Sequence, residues 1–243
     1  MQIKELLYDG KSKQLFATDD NNAIVIAFKD QALAFGGLKR SKIEGKGMVN
    51  AAVCECLYKI LESEGIKTHF IKKIDKNKLL VKKLDMIPLI VKVRNRAAGS
   101  LSARMAWYLG KIFKKPIIEM CVKDAVLKNP LVNETHIEEM EIASPEEVAQ
   151  IKNIALRVNT ILKNFLNKEK ISLIDVNLEF GRDEKENIYL ADDISADNSR
   201  LWDAETEEPL DMDRFRWGLG DIDESYRELL NRILSAELEK DEK

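Results

Sequence analysis

The sequence contains few cysteines and histidines. Its three cysteines, Cys54, Cys56 and Cys121, make no even disulfide set and no C-x-x-C pair, so we expect buried structural thiols rather than a disulfide framework. The two histidines, His69 and His136, are far apart in the sequence, and we assign neither a catalytic role. Catalysis by a Ser/His/Asp set is therefore not indicated.

A long apolar segment and an excess of basic residues are also absent. No apolar run reaches the length of a membrane span, and Met1–Glu5 lacks the apolar core of a signal peptide, so we expect a cytoplasmic protein. With 39 Lys and Arg against 42 Asp and Glu, the net charge of −3 argues against nucleic acid as the main partner. The 243 residues, 45% of them apolar, can bury a large core in one domain or in two packed lobes.

The first ninety residues are predicted to be mostly strands. Three short apolar runs, Leu6–Tyr8, Lys13–Ala17 and Ala23–Phe28, are separated by turn residues, which is typical of an antiparallel meander. One helix interrupts them, because Gly47–Glu64 has apolar residues at helical spacing and Gly65 supplies a stop. Further strands are predicted near Thr68–Lys72, Lys78–Leu84 and Pro88–Asn95.

The second half of the chain is predicted to mix helices and strands. Leu101–Leu109 forms a short helix before Gly110, and Ser144 caps a long helix that runs to about Asn167. A last helix covers Ile222–Leu238. The predicted fold is α+β with two lobes: a β-rich N-terminal lobe (1–87), made of an antiparallel sheet and one long helix, and an α+β C-terminal lobe (88–243). A ligand cleft would lie between them.

Acidic residues interrupt a strand-like segment in the second half. Asp175, Asn177 and Glu179 alternate with apolar residues, so one face of this strand is polar. A polar turn and a return strand follow, which places Glu179 opposite Asp192 to within about one residue, close enough to share a divalent cation. Alternation does not distinguish Asp192 from Asp193 as the ligand. The alternative is an acidic hairpin on a solvated surface.

A second candidate site follows the predicted strand at Val93. Arg94 and Ser100, with the free N–H groups of the helix that begins after them, can bind a phosphate or a carboxylate. Arg200, three residues after Asp197, adds a further contact with an anion. The alternative is that Arg94 and Arg96 pair with surface acids.

Three further segments can contribute to a nucleotide site. Tyr8–Lys13 is a glycine turn with two lysines that can cover a polyphosphate, although a plain hairpin turn has the same pattern. Val81–Pro88 has the form of a strand that runs into a hinge, where backbone groups can bind a flat heterocycle. Lys123 can reach a phosphate, or it can be a solvated lysine.

Together these segments resemble the phosphoribosylaminoimidazole-succinocarboxamide synthase (SAICAR synthetase) family over nearly the whole chain. The matching segments are Y-D-G-K-S-K at 8–13, E-G-K-G-M-V-N at 44–50, V-K-K-L-D-M-I-P at 81–88, V-R-N-R-A-A-G-S at 93–100, N-P-L-V-N-E at 129–134, L-I-D-V-N-L-E-F-G at 173–181 and D-I-S-A-D-N-S-R-L-W-D at 193–203. The resemblance implies an ATP- and Mg²⁺-dependent ligase of purine biosynthesis, expected to be a homodimer. It would join L-aspartate to the carboxylate of 5-amino-1-(5-phospho-D-ribosyl)imidazole-4-carboxylate (CAIR).

The resemblance also implies roles for individual residues. Contacts with ATP are implied for Gly10, Lys11, Ser12, Lys13, Val81, Lys82, Leu84, Met86, Lys123 and Glu179, with Gly10–Lys13 over the phosphates and Lys82–Met86 along adenine. Glu179 and Asp192 would hold Mg²⁺, which favours Asp192 over Asp193, and would act in catalysis with Lys123. Contacts with the ribonucleotide are implied for Arg94, Ser100, Asp175, Asp197 and Arg200.

The chain departs from the family pattern at several positions. Ile90 stands where the family usually has Glu, and Asn177 stands where it usually has Lys, so one cationic contact with the substrate carboxylate is missing. We hypothesise that Lys39, Lys42 or Lys46 replaces it. A kinase-like phosphotransferase and a nucleotide-binding module without turnover are the alternatives, although no H-R-D-x-x-x-x-N or D-F-G segment is present.

Overall fold

Two antiparallel sheets are built from the first seven strands. The computed structural model describes residues 1–241. The strands are β1 (Ile3–Asp9), β2 (Lys13–Thr18), β3 (Ala23–Phe28), β4 (Gln31–Ala34), β5 (Lys39–Lys42), β6 (Phe70–Asp75) and β7 (Lys78–Lys82). A five-stranded sheet has the order β1–β2–β3–β7–β6, and β4 pairs with β5 in a separate hairpin. The predicted meander is confirmed, with a longer first strand.

The helix α1 (Lys46–Ser63) covers one face of the five-stranded sheet. Its buried residues Val53, Leu57 and Leu61 join Ile26 of β3 in the main core. Gly65 has φ +77°, a left-handed conformation that glycine adopts at little cost. The predicted helix and its glycine stop are confirmed.

A second sheet contains the remaining strands, which are β8 (Asp85–Arg96), β9 (Ile112–Val122), β10 (Leu131–Val132), β11 (Ile171–Arg182), β12 (Ile188–Ala191) and β13 (Ser199–Asp203). The order is β10–β9–β8–β11–β12, and β13 pairs with the first half of β11. The remaining helices are α2 (Gly99–Met105), α3 (Glu134–Glu139), α4 (Pro145–Lys168), α5 (Met212–Trp217) and α6 (Ile222–Asp241).

The long helix α4 covers one face of the second sheet. The Ser144 hydroxyl accepts from the Glu147 N–H at 3.2 Å, and the Glu147 carboxylate accepts from the Ser144 N–H at 2.9 Å, so the predicted capping box is confirmed. Ile151 and Leu162 of α4 pack into the main core against β11 and β8. The apolar face of the sheet is therefore buried, and the other face is left for polar side chains.

Two local predictions differ from the structure. The helix predicted for Leu101–Leu109 ends at Met105, because Ala106 adopts a left-handed conformation with φ +51°. Strand β9 was not predicted, although it pairs with both β8 and β10 in the second sheet. The structure agrees with buried structural thiols, since all three cysteines are free and buried.

The chain passes from the first sheet to the second at Lys83 and Leu84. Strand β8 begins at Asp85 and continues through Pro88, where its pairing with β11 is irregular. Because a proline has no N–H to donate, it is tolerated in a strand where the hydrogen-bond pairing is interrupted. The strand therefore crosses position 87/88, where the sequence analysis places the lobe boundary, and the division into lobes stays a prediction.

No helix within residues 1–241 combines the length and the apolar character needed to cross a membrane.

Candidate active site

Polar side chains line one face of the second sheet. In the pairing of β11 with β8, Asp175 lies opposite Arg94 and Asn177 lies opposite Lys92. Glu179 continues the alternation along β11. We call these five residues the polar face. Because the other face of both strands packs against α4, a ligand of this sheet would have to bind at the polar face.

Acidic side chains cluster at one end of the polar face, where Glu179 of β11 lies near Asp192 and Asp193, the two residues that follow β12. Glu179 is one residue out of register with Asp192 in the pairing of these strands, as the alternation predicts. Lys13, from β2 of the first sheet, donates hydrogen bonds to both Asp192 and Asp193. Lys123 Nζ donates to Glu179 Oε2 at 2.5 Å. We call this cluster the acidic end; it joins the two sheets through Lys13.

Burial and repulsion shift the pKa values of the carboxyl groups at the acidic end. Burial raises the pKa of Glu179 to about 7, and the charge of Asp192 adds to the rise. Burial likewise raises the pKa of Asp193. Burial acts in the same direction on Asp192, but Lys13 and Lys123 outweigh it and lower the pKa of that group. Because three carboxyl groups face two ammonium groups, this end can accept a further positive charge.

The oxygen donors of the acidic end suit Mg²⁺, which is often held by one or two carboxylates together with phosphate oxygens and water. Within residues 1–241, no three acidic, histidine or cysteine side chains form a ready-made metal cluster, so the phosphates of a nucleotide would have to complete the coordination. The side chain of Asp192 is 18% exposed and that of Asp193 is 5% exposed. Asp193 also accepts from the Ser195 hydroxyl. Asp192 is therefore the more accessible ligand beside Glu179.

An arginine lies at the opposite end of the polar face. Arg94 is 3% exposed, and its Nη1 donates to Asp175 Oδ2 at 2.8 Å while its Nε donates to Glu119 Oε2 at 2.6 Å. Its Nη2 lies 3.4 Å from Ser100 Oγ. Arg96, by contrast, pairs with the exposed Glu207 at 2.7 Å. The alternative of pairing with surface acids is therefore correct for Arg96 and wrong for Arg94.

Arg200 completes this arginine end. Its Nη1 donates to Asp175 Oδ2 at 2.8 Å, and its Nε donates to Asp213 Oδ2 at 2.7 Å. Asp213 is 1% exposed and also accepts from Arg216. Asp175 thus holds Arg94 and Arg200 side by side, and the N–H groups that these carboxylates leave free are of the kind that binds an anion.

Gly99 lies against Arg200 at the start of α2. Its φ is +54°, and a Cβ at this position would lie 2.5 Å from Arg200 Nη2. We expect Gly99→Ala to lower the free energy of unfolding by about 1–2 kcal/mol, because an L side chain is strained at this φ, and to weaken the binding of a phosphorylated ligand. Urea unfolding and titration with such a ligand measure the two effects.

Gly110→Ala is the matched control, since Gly110 has φ +82° and its Cβ would meet only Trp202, at 3.6 Å. The control is expected to lose stability but not affinity. Equal losses of affinity in both variants would contradict the role given to Gly99.

Asp197, a predicted substrate residue, makes no hydrogen bond or ion pair with Arg94 or Arg200. Its carboxylate accepts from the buried Lys46 and, at 2.9 Å, from the Tyr226 hydroxyl. Its N–H donates to Ser195 Oγ at 3.2 Å, and that hydroxyl contacts Asp193. The structure therefore connects Asp197 with the acidic end and does not bring it together with the two arginines.

The predicted phosphate loop lies between β1 and β2. The Gly10 N–H donates to the Lys13 carbonyl at 2.9 Å, which closes the turn. A Cβ at Gly10 would lie 2.8 Å from Tyr8 Cε1, so the close contact explains the glycine. Lys11 is exposed and Ser12 is half-buried. Of these residues, Lys13 alone reaches the acidic end.

The predicted adenine segment has one buried member. Val81 is fully buried in the main core, and its strand pairs with β3 on one side and with β6 on the other, so its side chain is not available to a nucleotide in this structure. Lys82 Nζ lies 4.5 Å from the centre of the Tyr189 ring. Leu84 is half-buried and Met86 is 41% exposed. Lys82 is also exposed, so a ligand can contact all three of these side chains.

The sequence analysis missed four residues at this site: Lys92, Glu119, Gly181 and Asp213. The signal for Glu119 was a single acid in the apolar run I-I-E-M-C-V at 117–122. The signal for Gly181 was its place at the end of L-E-F-G, where a Cβ would lie 2.8 Å from Leu84 Cβ. No local pattern indicated Asp213, because its partner Arg200 lies on another element.

An acidic end and an arginine end on one polar face would suit an enzyme that brings a metal-bound nucleotide to a phosphorylated small molecule. Comparison with known proteins identifies the family. A sequence model described as SAICAR synthetase matches residues 6–233. The chain therefore belongs to the SAICAR synthetase family.

Individual relatives are similar over almost their full length. The chain is 45% identical over 233 residues to the phosphoribosylaminoimidazole-succinocarboxamide synthase of Caldanaerobacter subterraneus subsp. tengcongensis, covering 96% of this chain and 99% of the relative. The crystal structure of the Ehrlichia chaffeensis synthase has a TM-score of 0.92 and 40% identity, covering 94% and 98% of the two chains. A type-2 SAICAR synthetase in complex with ADP has a TM-score of 0.91 and 45% identity, covering 94% and 97%. The predicted family and the predicted α+β fold are confirmed.

Proposed function

We propose that this chain joins L-aspartate to the carboxylate of CAIR, with cleavage of ATP to ADP and phosphate, to give the succinocarboxamide SAICAR in purine biosynthesis. Membership of the family and the name of the relative at 45% identity support this activity. The related structure that holds ADP supports the use of a nucleotide. The observation that carries the proposal is the polar face, with carboxylates at one end and arginines at the other.

The nucleotide would lie between the first sheet and the acidic end. The loop Gly10–Lys13, with Lys11 and Ser12, would cover its phosphates, and adenine would lie along Val81–Met86. Support comes from Lys13, which already reaches across to the carboxylates. The basic residues here and Lys123 would bind the negative charge of the phosphates.

Glu179 and Asp192 are the residues that would hold Mg²⁺. When bound, this ion would neutralise charge on the phosphate oxygens of ATP. The excess of carboxyl groups over ammonium groups at the acidic end supports this role. Lys123, which contacts Glu179, would bind the phosphoryl group that is transferred.

The ribonucleotide would lie along the polar face. Arg94, Ser100 and Arg200 would hold its phosphate, because the two guanidinium groups are already fixed side by side by Asp175. Asp175 would contact the ribose or the imidazole. Asp197 would contact the substrate from the side of the acidic end, to which Ser195 and Asp193 connect it.

The chemistry is expected to take two steps. A carboxylate is a poor acyl donor, so transfer of the γ-phosphoryl group of ATP to a carboxylate oxygen of CAIR would form an acyl phosphate and release ADP. The amine of L-aspartate would then attack the acyl carbon, form the amide bond, lose a proton and expel phosphate. Lys13 and Lys123 would stabilise charge on the phosphoryl oxygens, and positioning would supply much of the remaining acceleration. This scheme requires no side-chain nucleophile.

Release of ADP under different substrate combinations tests the proposal. With ATP and Mg²⁺ present, we expect ADP release only when both L-aspartate and CAIR are added, with SAICAR as the second product. Release with CAIR alone would indicate a kinase, and no release under any condition would indicate a binding module. Omission of Mg²⁺ with added EDTA is expected to abolish turnover.

The proposal includes three coarser features. They are a division into two lobes around the nucleotide, a homodimeric assembly and a cytoplasmic location. Resemblance to the family supports the dimer, and the use of ATP supports the cytoplasmic location. Sedimentation of the purified chain measures the assembly.

A further inference from the structure

Lys92 is a cation without a partner in the middle of the polar face. It lies on β8, directly opposite Asn177 of β11, and both residues are half-buried. Its ammonium group makes no hydrogen bond or ion pair with any residue of the described part of the chain. A half-buried ammonium group has lost part of its hydration, so an anionic ligand beside it would be stabilised.

The neighbours of Lys92 explain why it is free. On its other side Lys92 lies opposite Glu119 of β9, but that carboxylate is already bound by Arg94 and Arg104. Asn177 is neutral and cannot neutralise an ammonium group. The neighbouring groups therefore do not neutralise the charge of Lys92, which is available to a ligand.

The other lysines considered as replacements for the missing contact have different surroundings. Lys46 is fully buried and paired with Asp197. Lys39 contacts the backbone carbonyl of Phe215 and lies over its ring. Lys42 is exposed on the separate β4–β5 hairpin. Of these candidates and Lys92, only Lys92 is an unpaired cation on the polar face itself.

The position of Lys92 along the strands indicates what it binds. Asn177 is two residues from Asp175 and two from Glu179, so Lys92 lies roughly 7 Å along the strand from each end of the polar face. CAIR carries its phosphate and its carboxylate on opposite ends of the molecule. With the phosphate at the arginine end and ATP at the acidic end, the carboxylate that accepts the phosphoryl group must lie between them, which is where Lys92 is.

We propose that Lys92 binds the carboxylate of CAIR and gives the enzyme its preference for the carboxylated ribonucleotide. The inference rests on the proposed function. Lys92 would orient the carboxylate toward the phosphoryl group and offset its charge, which otherwise repels the phosphates of ATP.

Binding of two ribonucleotides tests this role. Calorimetry with the full chain compares CAIR with the same ribonucleotide lacking the carboxylate. Wild type is expected to bind CAIR more tightly. Lys92→Met is expected to lower the affinity for CAIR by roughly 10- to 100-fold, the usual range for a lost hydrogen bond to a charged group, and to leave the affinity for the decarboxylated compound unchanged. A purely structural role of Lys92 would reduce both affinities.

Three further variants sharpen the test. Lys114→Met is the matched control, because Lys114 is an exposed lysine on β9 of the same sheet, and it is expected to bind both compounds as wild type does. Lys92→Arg keeps the charge and should retain most of the preference. The double variant that combines Lys92→Met with Asn177→Lys moves the charge to the facing strand. It should restore the preference for CAIR.

The outcomes separate this inference from the proposed function. If wild type prefers CAIR and Lys92→Met keeps the same preference, the role of Lys92 is wrong while the proposed function stands. If folded wild type binds neither ribonucleotide, the proposed function is wrong, and the role of Lys92 is wrong with it.

Discussion

Glu179→Gln is expected to lower kcat by about 100- to 1,000-fold, the usual effect of removing one group that stabilises charge in a transition state. The amide keeps the shape of the side chain but is a weak ligand for a hard cation. Burial already raises the pKa of this carboxyl to about 7, so its replacement by a neutral group is expected to leave the fold intact. Steady-state turnover with saturating CAIR and L-aspartate measures the loss.

A metal titration distinguishes a ligand from a structural residue at position 179. The affinity for ADP is expected to rise with Mg²⁺ concentration in wild type and to depend much less on Mg²⁺ in Glu179→Gln. Glu184→Gln is the control, because Glu184 is an exposed acid in the turn of the same hairpin. A Glu179→Gln enzyme with wild-type turnover at every Mg²⁺ concentration would disprove the role.

Arg94→Met is expected to have the largest effect on stability, a loss of about 3–5 kcal/mol in the free energy of unfolding. Arg94 is buried between Asp175 and Glu119, and methionine would leave both carboxylates, which are themselves 3% and 11% exposed, with one fewer partner. The same change removes one of two guanidinium groups at the arginine end, so affinity for CAIR is expected to fall as well. Urea unfolding and calorimetry measure these losses.

Arg96→Met provides the matched control two residues further along β8. Arg96 pairs with Glu207, whose side chain is 62% exposed, and such surface pairs contribute at most about 1 kcal/mol. Similar losses of stability in the two variants would show that the burial of Arg94 has no energetic importance. Unchanged affinity for CAIR in Arg94→Met would contradict the arginine end as a phosphate site.

Elements with a clear local pattern could be predicted from the sequence. The run Ala23–Phe28 forms β3 within its predicted limits, and the capping box at Ser144 begins α4 as predicted. The alternation of Asp175, Asn177 and Glu179 predicted the polar face correctly. The hairpin that follows placed Glu179 opposite Asp192 to within one residue, as the strand pairing shows. Each of these features depends on neighbours in the chain or on one hairpin.

Features that depend on distant partners could not be predicted in the same way. Strand β9 contains lysines and Pro116 in its exposed half, and its position is fixed by pairing with β8 rather than by its own pattern. Helix α2 ends four residues before its predicted end at Leu109, because Ala106 adopts a left-handed conformation. The contact of Lys46 with Asp197 spans 151 positions in the chain, and no periodicity of the sequence reports such a contact.

The contact of Lys13 with Asp192 and Asp193 has a consequence for the energetics of nucleotide binding. The ammonium group of Lys13 serves as the counter-ion of these two acids. If Asp192 holds Mg²⁺ as proposed, the ion would take over that task and Lys13 would turn toward the phosphates of the nucleotide. The affinity for the Mg²⁺–nucleotide complex would then reflect the exchange of one cation for another, with the same lysine competing for the acids before binding and contacting the phosphates after it.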